Sequence, residues 1–238
     1  MGAMCGRYAT TRSAADLSAL FESADETGGV APDYNVAPTD PVPLVRLAPE
    51  GHRLLSLGRW GLLPQWSRSA AGAARMINAR AETVATSRAY APSFARRRCL
   101  VPADGWYEWV RLADGGRQPY FMTPRDGSVL AFAGIWSVWE SAGAARLTFS
   151  VLTTAAVGEL AEVHDRMPLL LSPERWAEWL GPAEEPAELL APPDAGLLAG
   201  LEIRPVSRAV GDVRNDGPEL IAAVAPAGVG TAAGPTLF

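Results

Sequence analysis

The chain contains no lysine: all 21 of its basic residues are arginine. Biased codon usage can produce that composition, and the abundance of alanine, glycine and proline fits such an origin. The chemical consequence holds either way. No side-chain amine is available for Schiff-base chemistry, which leaves only the α-amino group of a chain terminus. Cysteine is almost as scarce. Cys5 and Cys99 are too few for a disulfide framework, and neither stands in the paired spacing of a zinc ligand set, so no structural metal and no cofactor are expected. Long apolar runs are missing too. The longest, such as 129–136 (VLAFAGIW), have the length of strands, and no basic flank with an apolar segment opens the chain. A membrane span and a secretory signal are therefore not expected, and the reading is a soluble, cytoplasmic protein.

What is present suits one large domain. The chain has 238 residues, 48% of them hydrophobic and 20% charged, enough to bury a sizeable core. A net charge of -5 argues at first against a nucleic-acid partner, because phosphate binding relies on clustered positive charge. Its distribution reverses the argument. Residues 51–98 carry nine arginines (53, 59, 68, 75, 80, 88, 96, 97 and 98) against one acid, Glu82. A local basic face on an acidic protein results, although a merely solvated charged face would have the same composition.

The hydrophobic pattern is mostly that of strands. Ser13, Asp16 and the apolar Leu17, Leu20 and Phe21 predict a short capped helix. Strands are predicted at 42–47, 53–60, 99–102, 105–111, 118–123, 129–138, 146–153 and 201–206, with Asp114-Gly115-Gly116 as a hairpin turn. Residues 64–98 predict loops and a short helix. Pro173 opens a helix reaching Leu180, and 181–199, rich in Pro, Ala and Glu, predict a surface excursion. The tail from Ala225 onward is expected to be disordered. Many strands without regular β-α alternation predict an α+β single domain with a mixed or antiparallel, barrel-like β core flanked by helices.

Four short stretches carry reactive groups. In Cys5-Gly6-Arg7-Tyr8 the cysteine follows Met4. A cysteine so near a chain start is usually an ordinary small apolar residue. If translation began at Met4 and that residue were removed, however, Cys5 would carry a thiol and an α-amine on adjacent carbons. Such an aminothiol condenses with aldehydes to a five-membered ring, and its amine, with a reference pKa of about 8, is partly unprotonated near neutrality. Met1 to Met4 would then be a leader or an expression scar. In Asn78-Ala79-Arg80-Ala81-Glu82, alternation places Asn78 and Arg80 on one side of a strand or loop edge, while a turn or cap asparagine is the plain alternative. Glu108 sits among Trp106, Tyr107 and Trp109 on a predicted strand. Buried there it would lose solvation and serve as a general acid; facing solvent it would do nothing. His164, one of two histidines, is followed by Asp165 and Arg166, which can bias its protonation or hold a phosphate, though a lone histidine is more often structural.

Taken in order, CGRY at 5–8, YNVAP at 34–38, RWGLLPQW at 59–66, NARAET at 78–83, CLVPADGWYEW at 99–109 and HDRMP at 164–168 resemble the SRAP (SOS response-associated peptidase) family. The resemblance runs from Cys5 to about residue 215, within a domain read as 5–224. It implies an α+β fold with a barrel-like core and a covalent thiazolidine link to abasic sites in single-stranded DNA. By that resemblance Cys5 forms the link, Asn78 orients the sugar and the terminal amine, and Glu108 and His164 move protons. Arg7, Arg80, Arg88 and Arg166 match positions that hold the DNA backbone, and Pro38 and Trp66 positions that touch bases. The family name also implies autoproteolytic removal of the leading methionine. Abasic single-stranded DNA is the expected partner, with no membrane, and a monomer is expected. Two other readings stay open: a thiol peptidase using Cys5, His164 and Asn78 on other proteins, and a non-covalent single-strand DNA-binding module.

Overall fold

The computed structural model describes residues 6–141, 143–182, 186–193 and 195–225. Met1 to Cys5 and the tail beyond Ala225 thus lie outside the described residues. Strand β1 (Tyr8–Thr10) is followed by helix α1 (Ala14–Phe21), then β2 (Ser23–Asp25), β3 (Asp33–Val36), β4 (Pro41–Leu47) and β5 (Arg53–Trp60). Next come β6 (Asn78–Arg80), α2 (Ala81–Val84), α3 (Ala91–Arg96), β7 (Arg98–Ala103), β8 (Gly105–Arg111) and β9 (Arg117–Pro124). The remainder forms β10 (Leu130–Ser141), β11 (Ala144–Ala155), α4 (Leu160–Val163), β12 (Arg166–Pro168), α5 (Trp176–Leu180), α6 (Ala195–Ala199) and β13 (Leu201–Pro205).

Local chemistry explains the boundaries. Ser13 takes an extended conformation and its hydroxyl accepts the Asp16 N–H at 3.1 Å, so α1 starts there, with Leu17 and Phe21 on its buried face. The β8–β9 hairpin turns through Gly115 at φ +84°, while Asp114 Oδ1 accepts the Gly116 N–H at 2.8 Å. Gly105 opens β8 for a steric reason: a Cβ there would lie 2.3 Å from the Met122 carbonyl oxygen. Only glycine lets β8 and β9 approach so closely.

The strands form two sheets, one of five in the order β13-β9-β8-β1-β3, the other of eight in the order β12-β11-β10-β7-β4-β5-β2, with β6 added on β11. The larger sheet closes on itself. Strand β11 pairs with β10 along its length and also with β5 through Thr148↔Arg59 and Phe149↔Trp60, so β5-β4-β7-β10-β11 forms a five-stranded barrel. Alternation does the rest. Inward residues Leu44, Cys99, Val101, Phe132, Phe149 and Val151 pack with Tyr8, Trp106, Met122 and Leu201 of the five-stranded sheet. Outward residues such as Leu100, Ile135 and Leu152 are covered by Phe21 of α1, Phe94 of α3 and Trp179 of α5. The α+β, barrel-like architecture expected from sequence is what forms. Among the described residues, no helix is long and apolar enough to cross a membrane.

Three sequence expectations change in detail. The helix from Pro173 begins as a 3-10 turn and becomes α-helical only at Trp176. The excursion at 181–199 holds a 3-10 segment at Pro186–Leu190 and the short α6. The basic window is not one face. Arg98 is 4% exposed, and Arg53 turns back to donate to the Phe21 carbonyl at 2.9 Å.

Candidate nucleic-acid site

The polar residues singled out above gather mainly where β6 and β12 flank β11. Val151 pairs with Asn78 and Thr153 with Arg80 on one side, while Thr153 also pairs with Pro168 and Ala155 with Arg166 on the other. One strand therefore holds Asn78, Arg80 and Arg166 in a common register. Tyr90 fastens the near edge by donating its hydroxyl to the Asn78 carbonyl at 3.0 Å. Glu82, in the first turn of α2, reaches across β11 to Arg166: Nη1 donates to Oε1 at 2.5 Å and Nη2 to Oε2 at 2.9 Å. The same Nη2 donates to the Thr153 carbonyl at 2.6 Å. This fork is bidentate, the geometry in which a guanidinium holds a carboxylate best. The Arg166 hydrogen bond holds the Glu82 carboxyl below its ordinary pKa. Arg80 is exposed beside it.

His164 stands two residues before Arg166 and closes α4, its N–H donating to the Leu160 carbonyl at 3.1 Å. Its Nδ1 accepts the Arg166 backbone N–H at 3.0 Å, which leaves the proton of the neutral ring on Nε2. Asp165 Oδ1 lies at the same 3.0 Å from Nδ1, a partner for the ring when it carries its second proton. The histidine's helix packs against β8, the strand of Glu108, and Leu160 is buried in the same apolar cluster as Trp106. Glu108 itself is only 3% exposed, on the same side of β8 as Trp106. Of the two sequence readings of this carboxylate, the buried one holds.

A second gathering lies beside the chain start. A cleft of about 570 Å³ is lined by Gly6, Arg7, Pro38, Trp109, Arg117 and Arg208 among others. Cys5, the residue before Gly6, is outside the described residues. Arg7 is fixed by donating to Asn35 Oδ1 at 2.5 Å and to the Val210 carbonyl at 3.0 Å. Burial lowers its pKa, while Asp40 and other nearby anions work the opposite way. Trp66 and Arg88 form a pair of their own on the surface: the ring is 59% exposed and the guanidinium carbon lies 5.3 Å from its centroid. Cys99 is fully buried, and burial pushes its thiol far above the usual range. It offers no nucleophile.

Sequence reasoning missed Glu82 as the residue that holds Arg166, and Trp109, Arg117 and Arg208 as cleft walls. Glu82 had a readable signal, being the single acid within nine arginines. The other three had none, because long-range folding alone brings them together. Among the described residues no group of three or more His, Cys, Asp or Glu could hold a metal ion.

A family model described as SOS response associated peptidase (SRAP) matches residues 4–213. The chain is 37% identical over 228 residues to the abasic site processing protein YedK of Escherichia coli, covering 92% of this chain and 99% of that one. It is 34% identical over 226 residues to the abasic site processing protein YoqW of Bacillus subtilis, with the same coverage. Among solved structures, a protein from Bacteroides thetaiotaomicron superposes with a TM-score of 0.79 at 23% identity, covering 93% of this chain and all of that one.

Proposed function

Since the chain belongs to the SOS response associated peptidase (SRAP) family, we propose that it acts in DNA repair by capturing abasic sites in single-stranded DNA through a thiazolidine formed on Cys5. The chemistry needs a free α-amine on Cys5, so residues 1–4 are removed first, the Cys5 thiol serving in that autoproteolysis. An abasic deoxyribose is mostly a closed hemiacetal. Glu108 protonates the ring oxygen as the C1′ hydroxyl gives up its proton, and the aldehyde opens. The Cys5 amine adds to that carbonyl carbon and water leaves, giving an imine. The thiol then adds to the imine carbon and its proton passes to the ring nitrogen, so nothing is oxidised or reduced. His164 relays protons through Nε2, and Asn78 orients the sugar and the amine. Arg7, Arg80, Arg88 and Arg166 hold phosphates, while Pro38 and Trp66 touch bases.

The observation that carries this reading is the buried Glu108, 3% exposed on a strand against which the helix ending in His164 packs. A carboxylate withdrawn from water favours its protonated form, which is the donor that ring opening requires. The test incubates mature protein with a uracil-containing single strand after uracil excision. A protein-DNA band surviving denaturation is expected. Cys5→Ala should abolish it while non-covalent binding persists, and Glu108→Gln should slow it about 100-fold without weakening binding. A covalent band that survives Cys5→Ala would end the proposal. Mass spectrometry of the mature protein should find Cys5 as its first residue.

A further inference from the structure

The rim of the barrel away from this site carries a second basic cleft. It measures about 580 Å³ and is lined by Arg46, Arg96, Arg97, Arg98, Trp136 and Leu180 among others. Strands β4, β7 and β10 and the end of α3 supply it, whereas β6, β8, β12 and α4 supply the candidate site. The half-buried Trp136 is its floor, with Arg46 Cζ at 5.5 Å and Arg97 Cζ at 5.8 Å from the ring centroid. Negative charge is thin there. Glu26, half exposed, pairs with Arg46 at 3.0 Å, and among the described residues neither Arg96 nor Arg97 makes an ion pair. Arg98 adds a buried positive charge whose partners are neutral carbonyls.

We propose that this cleft binds the phosphate backbone of single-stranded DNA outside the segment held at the reactive centre. Guanidiniums arranged around an indole are the combination that single-strand binding uses, cations for phosphates and a ring face for a base. In a chain of net charge -5, a strand is repelled over much of the surface, so a cleft with four arginines and, among the described residues, one acid partner marks where it can run. A phosphate sits between Arg96 and Arg97, with a base against the accessible part of Trp136. The choice of ligand rests on the function proposed above; the cleft itself does not.

The test measures affinity against salt for lesion-free single strands of about 6 and about 30 nucleotides, one shorter and one longer than most of the roughly 4–16 nucleotide range that single OB-fold domains cover. For the full chain carrying Arg96→Ala and Arg97→Ala, affinity for the long strand should fall several-fold. The slope of log K against log salt should drop by about 1.4, two phosphate contacts at roughly 0.7 each. Binding of the short strand, and the crosslinking rate on a short abasic strand, should not change. Arg96→Lys with Arg97→Lys should keep the long-strand slope, which separates charge from folding. An unchanged slope on the long strand overturns the proposal, and so does equal loss at both lengths. Loss of inorganic phosphate binding with an unchanged strand affinity would place a small anion in the cleft and overturn it too. Absence of a covalent band with unmodified protein would count against the proposed reaction alone, since lesion-free strands report only on the cleft.

Discussion

The seam beneath α3 and α5 and the corner between β6 and β12 each draw an arginine in from the surface. At the seam, Arg98 donates Nε to the Trp179 carbonyl at 2.6 Å, Nη1 to the Phe94 and Ala95 carbonyls at 2.7 and 3.0 Å, and Nη2 to the Gly181 carbonyl. Each partner is a neutral main-chain oxygen that packing fixes in place. At the corner, Arg166 is 11% exposed, but its main partner is the carboxylate of Glu82, which is 50% exposed. That partner is itself an anion in water, and a phosphate presents the same two oxygens. One guanidinium therefore ties two helices to a strand, and the other is held by a single exposed anion, for which a phosphate would substitute under the function proposed above. Counting arginines in a sequence cannot separate the two cases, because the difference lies in what the fold sets opposite each one.

Substitution at the seam should have the larger effect on stability. Arg98→Ala takes the donor from four main-chain carbonyls, those of Phe94 and Trp179 buried and those of Ala95 and Gly181 partly so, and each buried group left unmet costs about 1–3 kcal/mol. A net loss of about 3 kcal/mol or more is expected in denaturant unfolding, with DNA affinity at the reactive site unchanged in whatever protein remains folded. A loss under about 1 kcal/mol would mean that water satisfies those carbonyls, and the contrast with the corner would fail.

Much of the barrel was legible because its strands are long. Strands β8, β10 and β11 run for seven to twelve residues and hold buried apolar stretches bounded by polar residues, long enough to be read as strands. By contrast, β1, β6 and β12 span three residues each and have no period to detect; their partners on β8 and β11 define them. The candidate site is divided the same way. Asn78, Glu108 and His164 stood out by residue type, but the aromatic neighbours of Glu108 left its burial open, and the fold decides it. The Glu82–Arg166 fork spans 84 positions, a separation at which no local pattern operates. Arg53 and Arg98 were counted with the basic face because charge is visible in a sequence and a carbonyl partner is not.

Arg166→Lys probes the corner from the other direction. Lysine keeps the charge but cannot make the two-pronged contact, so Glu82 and the residues between Arg166 and His164 lose their fixed relation. Crosslinking to an abasic single strand should slow about 10-fold, because misplacing reacting groups is costly even when none is removed. Stability should change by no more than about 1 kcal/mol, since the partner carboxylate is half exposed. A rate equal to the unsubstituted protein's would show that Arg166 need not be pre-set, and the distinction between a tie and a held cation would lose its functional meaning.

The smallest effect expected is that of Glu82→Gln, and its pH dependence sharpens the comparison most. The Arg166 hydrogen bond depresses the Glu82 pKa in the folded chain. Its contribution is therefore complete above the ordinary glutamate value of about 4.3 and is lost as pH falls through the lower folded value. At neutral pH the glutamine variant should be less stable by under about 1 kcal/mol, a discount that exposure of the carboxylate requires. Once pH falls below the lowered folded value the two unfolding free energies should converge, because the protonated acid and the amide then present similar groups to Arg166. Arg98, whose hydrogen-bond partners among the described residues are all neutral carbonyls, should give Arg98→Ala a deficit that does not close over the same range. A glutamine variant whose deficit instead widened in acid would place the titrating partner of Arg166 somewhere other than Glu82.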